Sequence, residues 1–199
     1  MPTERKDINS LTIAENNLSG QEMFKILDKA KKLESMGKKI IHLELGQARF
    51  QPPVNLKKAL IKSIKEKNYG YCSSFGLIEL REGIVKKVSN INVNIDNVII
   101  STANLLITQA LHLLCNINDK VVVFTPTFPT YISSCQFLNL QLKEINLEFK
   151  NNFNLTIEDI DLAVKSNPRA IIINSGNNPT GAVYSSSNLD YLDKVCKLN

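Results

Sequence analysis

From residue 76 onward, segments of helix length alternate with short apolar runs, and this rhythm constrains the fold more than any other feature. The clearest run is 120–124 (KVVVF), four apolar residues in a row behind a lysine. A strand without polar alternation is buried on both faces, which is the environment of a parallel sheet covered by helices. Further strands are predicted over 98–100, 141–145 and 170–173. Helices are predicted over 77–88, 104–115, 129–137, 156–165 and 186–198, with Thr156 as a capping residue for the fourth. Interleaving of this kind reads as an α/β fold with a mainly parallel sheet and flanking helices. The last helix has no returning strand after it, so a truncated domain is expected.

The first part of the chain has a different texture. Residues 21–36 place Phe24, Leu27, Ala30 and Leu33 at helical spacing, and Gly37 follows as a stop. Ile41, Leu43 and Leu45 alternate with His42 and Glu44, which predicts a half-buried strand. Prolines 52 and 53 open a lysine-rich helix. Its wet side carries Lys57, Lys58, Lys62, Lys65 and Lys67, and its apolar side Val54, Leu56, Leu60, Ile61 and Ile64.

Composition narrows the function classes. With 199 residues and 43% hydrophobic content the chain can bury a core, so disorder is excluded. No apolar run approaches the roughly 18 residues of a membrane span. The opening residues MPTERKDINS lack the apolar stretch of a signal peptide, so the chain reads as soluble and cytoplasmic. The net charge of +5 is mostly lysine without interleaved aromatics, which argues against a nucleic-acid partner. Cys72, Cys115, Cys135 and Cys196 are widely spaced and read as reduced, buried thiols. Two histidines give no zinc-site spacing. His42, on its expected strand, and His112, on a helix, lack partners at catalytic spacing.

Ligands of open α/β sheets bind beyond the carboxyl ends of the strands. Neither a P-loop nor a G-x-G-x-x-G is present, which removes the usual support for ATP or dinucleotide binding. Three post-strand loops remain. Ser101-Thr102-Ala103-Asn104 runs into a helix, where small residues and free N–H groups suit an anion; the same stretch also reads as a plain asparagine N-cap. Pro126-Thr127-Phe128-Pro129-Thr130-Tyr131 holds a phenylalanine between two prolines, which suits stacking on a flat ring or simply covering the core. Asn174 to Gly181 crowds amides at a strand end; it reads as a set of ligand donors or as a turn rich in turn-forming residues.

In this order and on these elements the loops resemble the class I/II, fold-type-I aminotransferases, which use pyridoxal 5′-phosphate (PLP). Four segments carry the resemblance: Leu45-Gly46-Gln47 with Phe50 to Pro53, Gly70-Tyr71 to Gly76 with Leu80-Arg81, Pro126 to Tyr131, and Asn178-Pro179-Thr180-Gly181. It implies a PLP-dependent transferase-like large domain over 46–199, incomplete, and a segment of the small domain over 1–45. The implied activity is ping-pong transfer of an amino group from an amino acid to a 2-oxo acid, in a homodimer.

The resemblance also implies roles. Tyr71 would reach the cofactor phosphate of a neighbouring subunit, and Ala103 and Asn104 would hold the phosphate at a helix start. Phe128 would stack on the pyridine ring, Asn178 would donate to its phenolic oxygen, and Gly46 would lie near the substrate carboxylate. The departures are Thr102 for a glycine, Leu105-Leu106 for a polar-small pair, and Ala48 for a proline. The family's ring-nitrogen aspartate, Schiff-base lysine and carboxylate-binding arginine lie downstream of Asn-Pro-Thr-Gly, and no residue here matches them. No catalytic residue is therefore assigned. A non-catalytic remnant or partner subunit, and another PLP reaction such as β-elimination, stand as alternatives.

Overall fold

A computed structural model describes residues 22–46, 50–67, 70–88 and 92–198. Gln47 and Ala48, named in the resemblance, lie outside the described residues. The described residues fall into two compact units: those within 26–103 form one, and residues 104–198 together with 22–25 form the other.

The second unit is built on a three-stranded parallel sheet. Strands β1 (Lys120–Thr125), β2 (Gln141–Asn146) and β3 (Ala170–Ile172) lie in the order β2-β1-β3, with Val122 opposite Lys143 on one side and Ile171 on the other. As the central strand, β1 has Val121, Val122 and Val123 fully buried. Its alternate side chains serve the two faces of the sheet. Val122 and Phe124 enter a core with Leu155, Ile160, Ala163 and Leu192, from the side of helices α6 (Ile157–Lys165) and α7 (Ser186–Leu198). Val121 enters a second core with Leu111 of helix α4 (Ala103–Leu114) and Cys135 of helix α5 (Pro129–Phe137). The α/β class and the parallel pairing follow the sequence reading.

The edge strands depart from it. In β2 only Ile145 is buried, while Gln141, Lys143, Glu144 and Asn146, which fall on both faces, are exposed, because an edge strand has a neighbour on one side only. The helix starts are local devices. Thr156 caps α6 reciprocally with Asp159: the Asp159 N–H donates to the threonine hydroxyl at 3.2 Å, and the Thr156 N–H donates back to the carboxylate at 3.0 Å.

The unit of residues 26–103 holds most of helix α1 (Glu22–Ser35), and helices α2 (Val54–Lys65) and α3 (Ile78–Lys87). Helix α1 ends as expected: Gly37 has φ +80° and the Lys38 N–H returns to the Leu33 carbonyl at 3.1 Å. The expected strand at 41–45 is not formed. Ile41 and Leu43 are 82% and 88% exposed, and alternation without a pairing partner leaves only an extended segment. Residues 98–100 likewise form no strand; the Val98 N–H bonds locally to the Ile95 carbonyl at 3.2 Å, and the Ile100 N–H reaches the Phe75 carbonyl at 2.9 Å. The apolar residues of α2 are all exposed, so its expected buried side has no cover here. The thiols are also corrected: Cys135 is buried, whereas Cys72 and Cys196 are exposed.

His42 is on no strand and does have partners. Its Nδ1 meets Glu44 Oε1 at 2.6 Å and its Nε2 meets Glu34 Oε1 at 2.9 Å. The bonds to Glu44 and then Glu34 raise the imidazole pKa above the usual 6.5, and the bond from His42 lowers that of Glu44. The histidine's contribution is present below its ordinary pKa and lost as pH rises through the raised folded value. That of Glu44 is present above the ordinary carboxylate range and lost as pH falls through its lowered value. The bridge therefore holds between those two folded-state values. An NMR titration should find His42 above 6.5, falling towards it in Glu44→Gln; a value at or below 6.5 in the unsubstituted protein would contradict the geometry.

Candidate cofactor site

Strand β1 ends at Thr125 and β3 at Ile172, and both run in the same direction, so the chain leaves the sheet twice at one end. Two of the loops singled out in the sequence follow these ends, and α5 links them to the third at the start of α4.

Helix α4 begins at Ala103, so Asn104 lies inside its first turn rather than capping it. Ala103, Asn104 and Leu105 are exposed and the turn contains no acidic residue. Its N–H groups and the positive end of the helix dipole are thus open to an anion with no competing carboxylate. The Thr130 hydroxyl donates to Asn104 Oδ1 at 3.2 Å, which ties the start of α4 to the start of α5. A second bond joins the helices one turn on, between the Thr108 and Ser134 hydroxyls at 2.8 Å.

Phe128 caps α5, and Pro129 occupies its first turn, where the missing N–H has no helical acceptor to lose. The Phe128 ring is half-buried and sits edge-to-face with Tyr131, with centroids 5.9 Å apart and planes at 75°. Burial raises the Tyr131 pKa, so its phenol stays protonated at neutral pH.

In the loop after β3 the two adjacent asparagines do opposite things. Asn177 is 3% exposed. Its Nδ2 donates to the Pro126 carbonyl at 2.8 Å and to the Thr180 hydroxyl at 3.0 Å, and its Oδ1 accepts from Asn174 at 3.3 Å. Asn178 is exposed and its side chain makes no hydrogen bond among the described residues. Gly181, at φ +72°, donates to the Asn177 carbonyl at 2.6 Å and closes the turn.

The structure thus joins Asn104, Phe128 and Asn178 within one unit, and Ala103, the residue before Asn104, is the last residue of the other. Tyr71 and Gly46 belong to the other; Tyr71 is fully exposed, and among the described residues a Cβ on Gly46 would meet nothing within 4 Å. Asn177 and Thr130 were missed by sequence reasoning. The available signal was the doublet Asn177-Asn178, two adjacent amides entering a turn, of which one can brace the loop while the other faces out.

The joined groups fit PLP. Open helix amides suit a phosphate dianion, a half-buried aromatic ring suits a flat heterocycle, and an uncommitted amide suits an oxygen on that ring. Among the described residues no cluster of three or more His, Cys, Asp or Glu side chains could hold a metal ion.

Comparison with known proteins shows the family. Residues 38–199 match the family described as aminotransferase class I and II. The (5-formylfuran-3-yl)methyl phosphate transaminase of Methanocaldococcus jannaschii is 36% identical over 171 residues, which are 84% of this chain and 44% of that protein. A probable aspartate/prephenate aminotransferase of Aquifex aeolicus is 29% identical over 185 residues, 91% of this chain and 47% of that one. Among solved structures, an alanine aminotransferase from Pyrococcus furiosus superposes with a TM-score of 0.84 at 26% identity, covering 98% of this chain and 50% of its own. The chain spans about half the length of the curated relatives it matches.

Proposed function

Because this chain belongs to the class I and II aminotransferases, we propose that it supplies the cofactor cradle of a PLP-dependent enzyme moving an amino group from an amino acid to a 2-oxo acid. The observation that carries this reading is the tying of three motif loops by side-chain hydrogen bonds at the carboxyl end of the sheet. When bound, PLP supplies an electron sink for the substrate's α-carbon.

The chain's own residues bind and orient. The first-turn N–H groups at Ala103 and Asn104 hold the phosphate, Phe128 covers the pyridine ring, and Asn178 donates to the phenolic oxygen. Gly46 leaves room for a substrate carboxylate, its open surroundings supporting this. Tyr71 reaches the phosphate site of a second copy. Its full exposure and the uncovered apolar side of α2 support such a pairing. Covalent attachment and proton transfer are assigned to no residue of this chain. A cytoplasmic location belongs to the same proposal, supported by the described helices, none long and apolar enough to cross a membrane.

An absorbance titration tests the cradle. PLP is expected to bind at least about tenfold more tightly than pyridoxal, because the helix start recognises the phosphate. Phe128→Ala should weaken PLP by about tenfold through lost stacking. Equal affinities for PLP and pyridoxal would contradict the proposal.

A further inference from the structure

We propose that Asn177 is a positioning residue whose buried carboxamide fixes the spacing between the loop of Phe128 and the loop of Asn178, and so aims the Asn178 amide. The inference rests on the cofactor reading above. Both Nδ2 protons are committed, one to Thr180 within the loop and one to the Pro126 carbonyl, 51 residues away in sequence. Asn174 and the Asn177 backbone bonds to Gly181 and Ala182 brace the residue from its own side, so among the described residues the bond to Pro126 is its one link outside that loop. Pro126 lies two residues before Phe128 and Asn177 one before Asn178, leaving little slack on either side.

An apolar residue here could also fill the space. It would allow the loops to slide, whereas a buried amide demands one distance and one direction from its acceptor. Carboxylate oxygens at this position would face the Pro126 carbonyl with no proton to give. The two asparagines therefore divide the work: one is spent on geometry and the other left free for the ligand.

The test is a double-substitution cycle on PLP affinity, with inorganic phosphate as a control ligand. Asn177→Ala should weaken PLP about tenfold and leave phosphate within about twofold, since the start of α4 does not depend on this amide. Asn178→Ala added to Asn177→Ala should cost less than about twofold more, because the donor is already misaimed. Additive losses, or an unchanged PLP affinity in Asn177→Ala, would overturn the inference. Should Asn177→Ala fail to fold, NMR of the unsubstituted protein decides: the Asn177 side-chain amide protons should exchange slowly with solvent, and fast exchange would overturn the inference. If the unsubstituted protein takes up no PLP, the cofactor reading itself fails. Binding with additive losses removes the positioning role alone.

Discussion

Gly76→Ala is expected to disrupt the unit formed by residues 26–103. Gly76 has φ +102°, and a Cβ there would sit 2.5 Å from Ile100 Cβ and 2.7 Å from Ile100 Cγ1. Neither atom is the far end of a flexible side chain, so the backbone must move. That movement breaks the bond from the Ile100 N–H to the Phe75 carbonyl at 2.9 Å, the one backbone hydrogen bond between these two segments among the described residues. Overpacking costs about 1–3 kcal/mol and a side chain at this φ about as much again, so the loss is about 4 kcal/mol. Hydrogen exchange should show the amides of α3 losing protection, with those of β1 unchanged. Ile100→Ala should not rescue the variant, because alanine keeps the nearer Cβ. Ile100→Gly should relieve the clash and leave only the backbone strain. Unaltered exchange in α3 would contradict this account.

Arg81→Met is expected to loosen the same unit by about 3 kcal/mol, from two charge-assisted hydrogen bonds worth about 1.5–3 kcal/mol each, partly offset by the apolar replacement. Arg81 is 8% exposed, and its Nε donates to the Val98 carbonyl at 2.8 Å and its Nη2 to the Ile95 carbonyl at 2.6 Å. The guanidinium carbon also stands 5.3 Å from the Phe75 ring centroid. One side chain thus pins α3 to the turn at 95–97 and covers the segment before Gly76. Arg81→Lys should recover only about half of the loss, because a single ammonium cannot fork to both carbonyls. Chemical denaturation followed by exchange in residues 78–98 measures it. A loss below about 0.5 kcal/mol, the range of an ordinary surface change, would show that the arginine is not a clamp.

What could be read in the sequence divides along physical lines. Strand β1 was legible because four apolar residues between polar ends leave few other ways to fold. The α6 start was legible because a capping threonine acts within one turn. The stretch at 41–45 was misread because alternation describes side-chain polarity and says nothing about a pairing strand; there the polar members, His42 and Glu44, bond to each other. In β2, Lys143 and Glu144 already mark an edge strand. At the site, motif order located the three loops, yet the residues that join them were invisible. Asn177 and Thr130 look like ordinary turn and helix-start residues until the Pro126 carbonyl and the Asn104 amide are placed beside them. Long-range bonds of this kind depend on topology, which local pattern does not contain.

The most direct test of the cradle is a crystal structure of the protein soaked with PLP. The account predicts phosphate oxygens against the N–H groups at the start of α4, the pyridine ring on Phe128, and Asn178 Nδ2 within hydrogen-bond distance of the phenolic oxygen. A phosphate bound elsewhere, or a ring away from both Phe128 and Asn178, would contradict it.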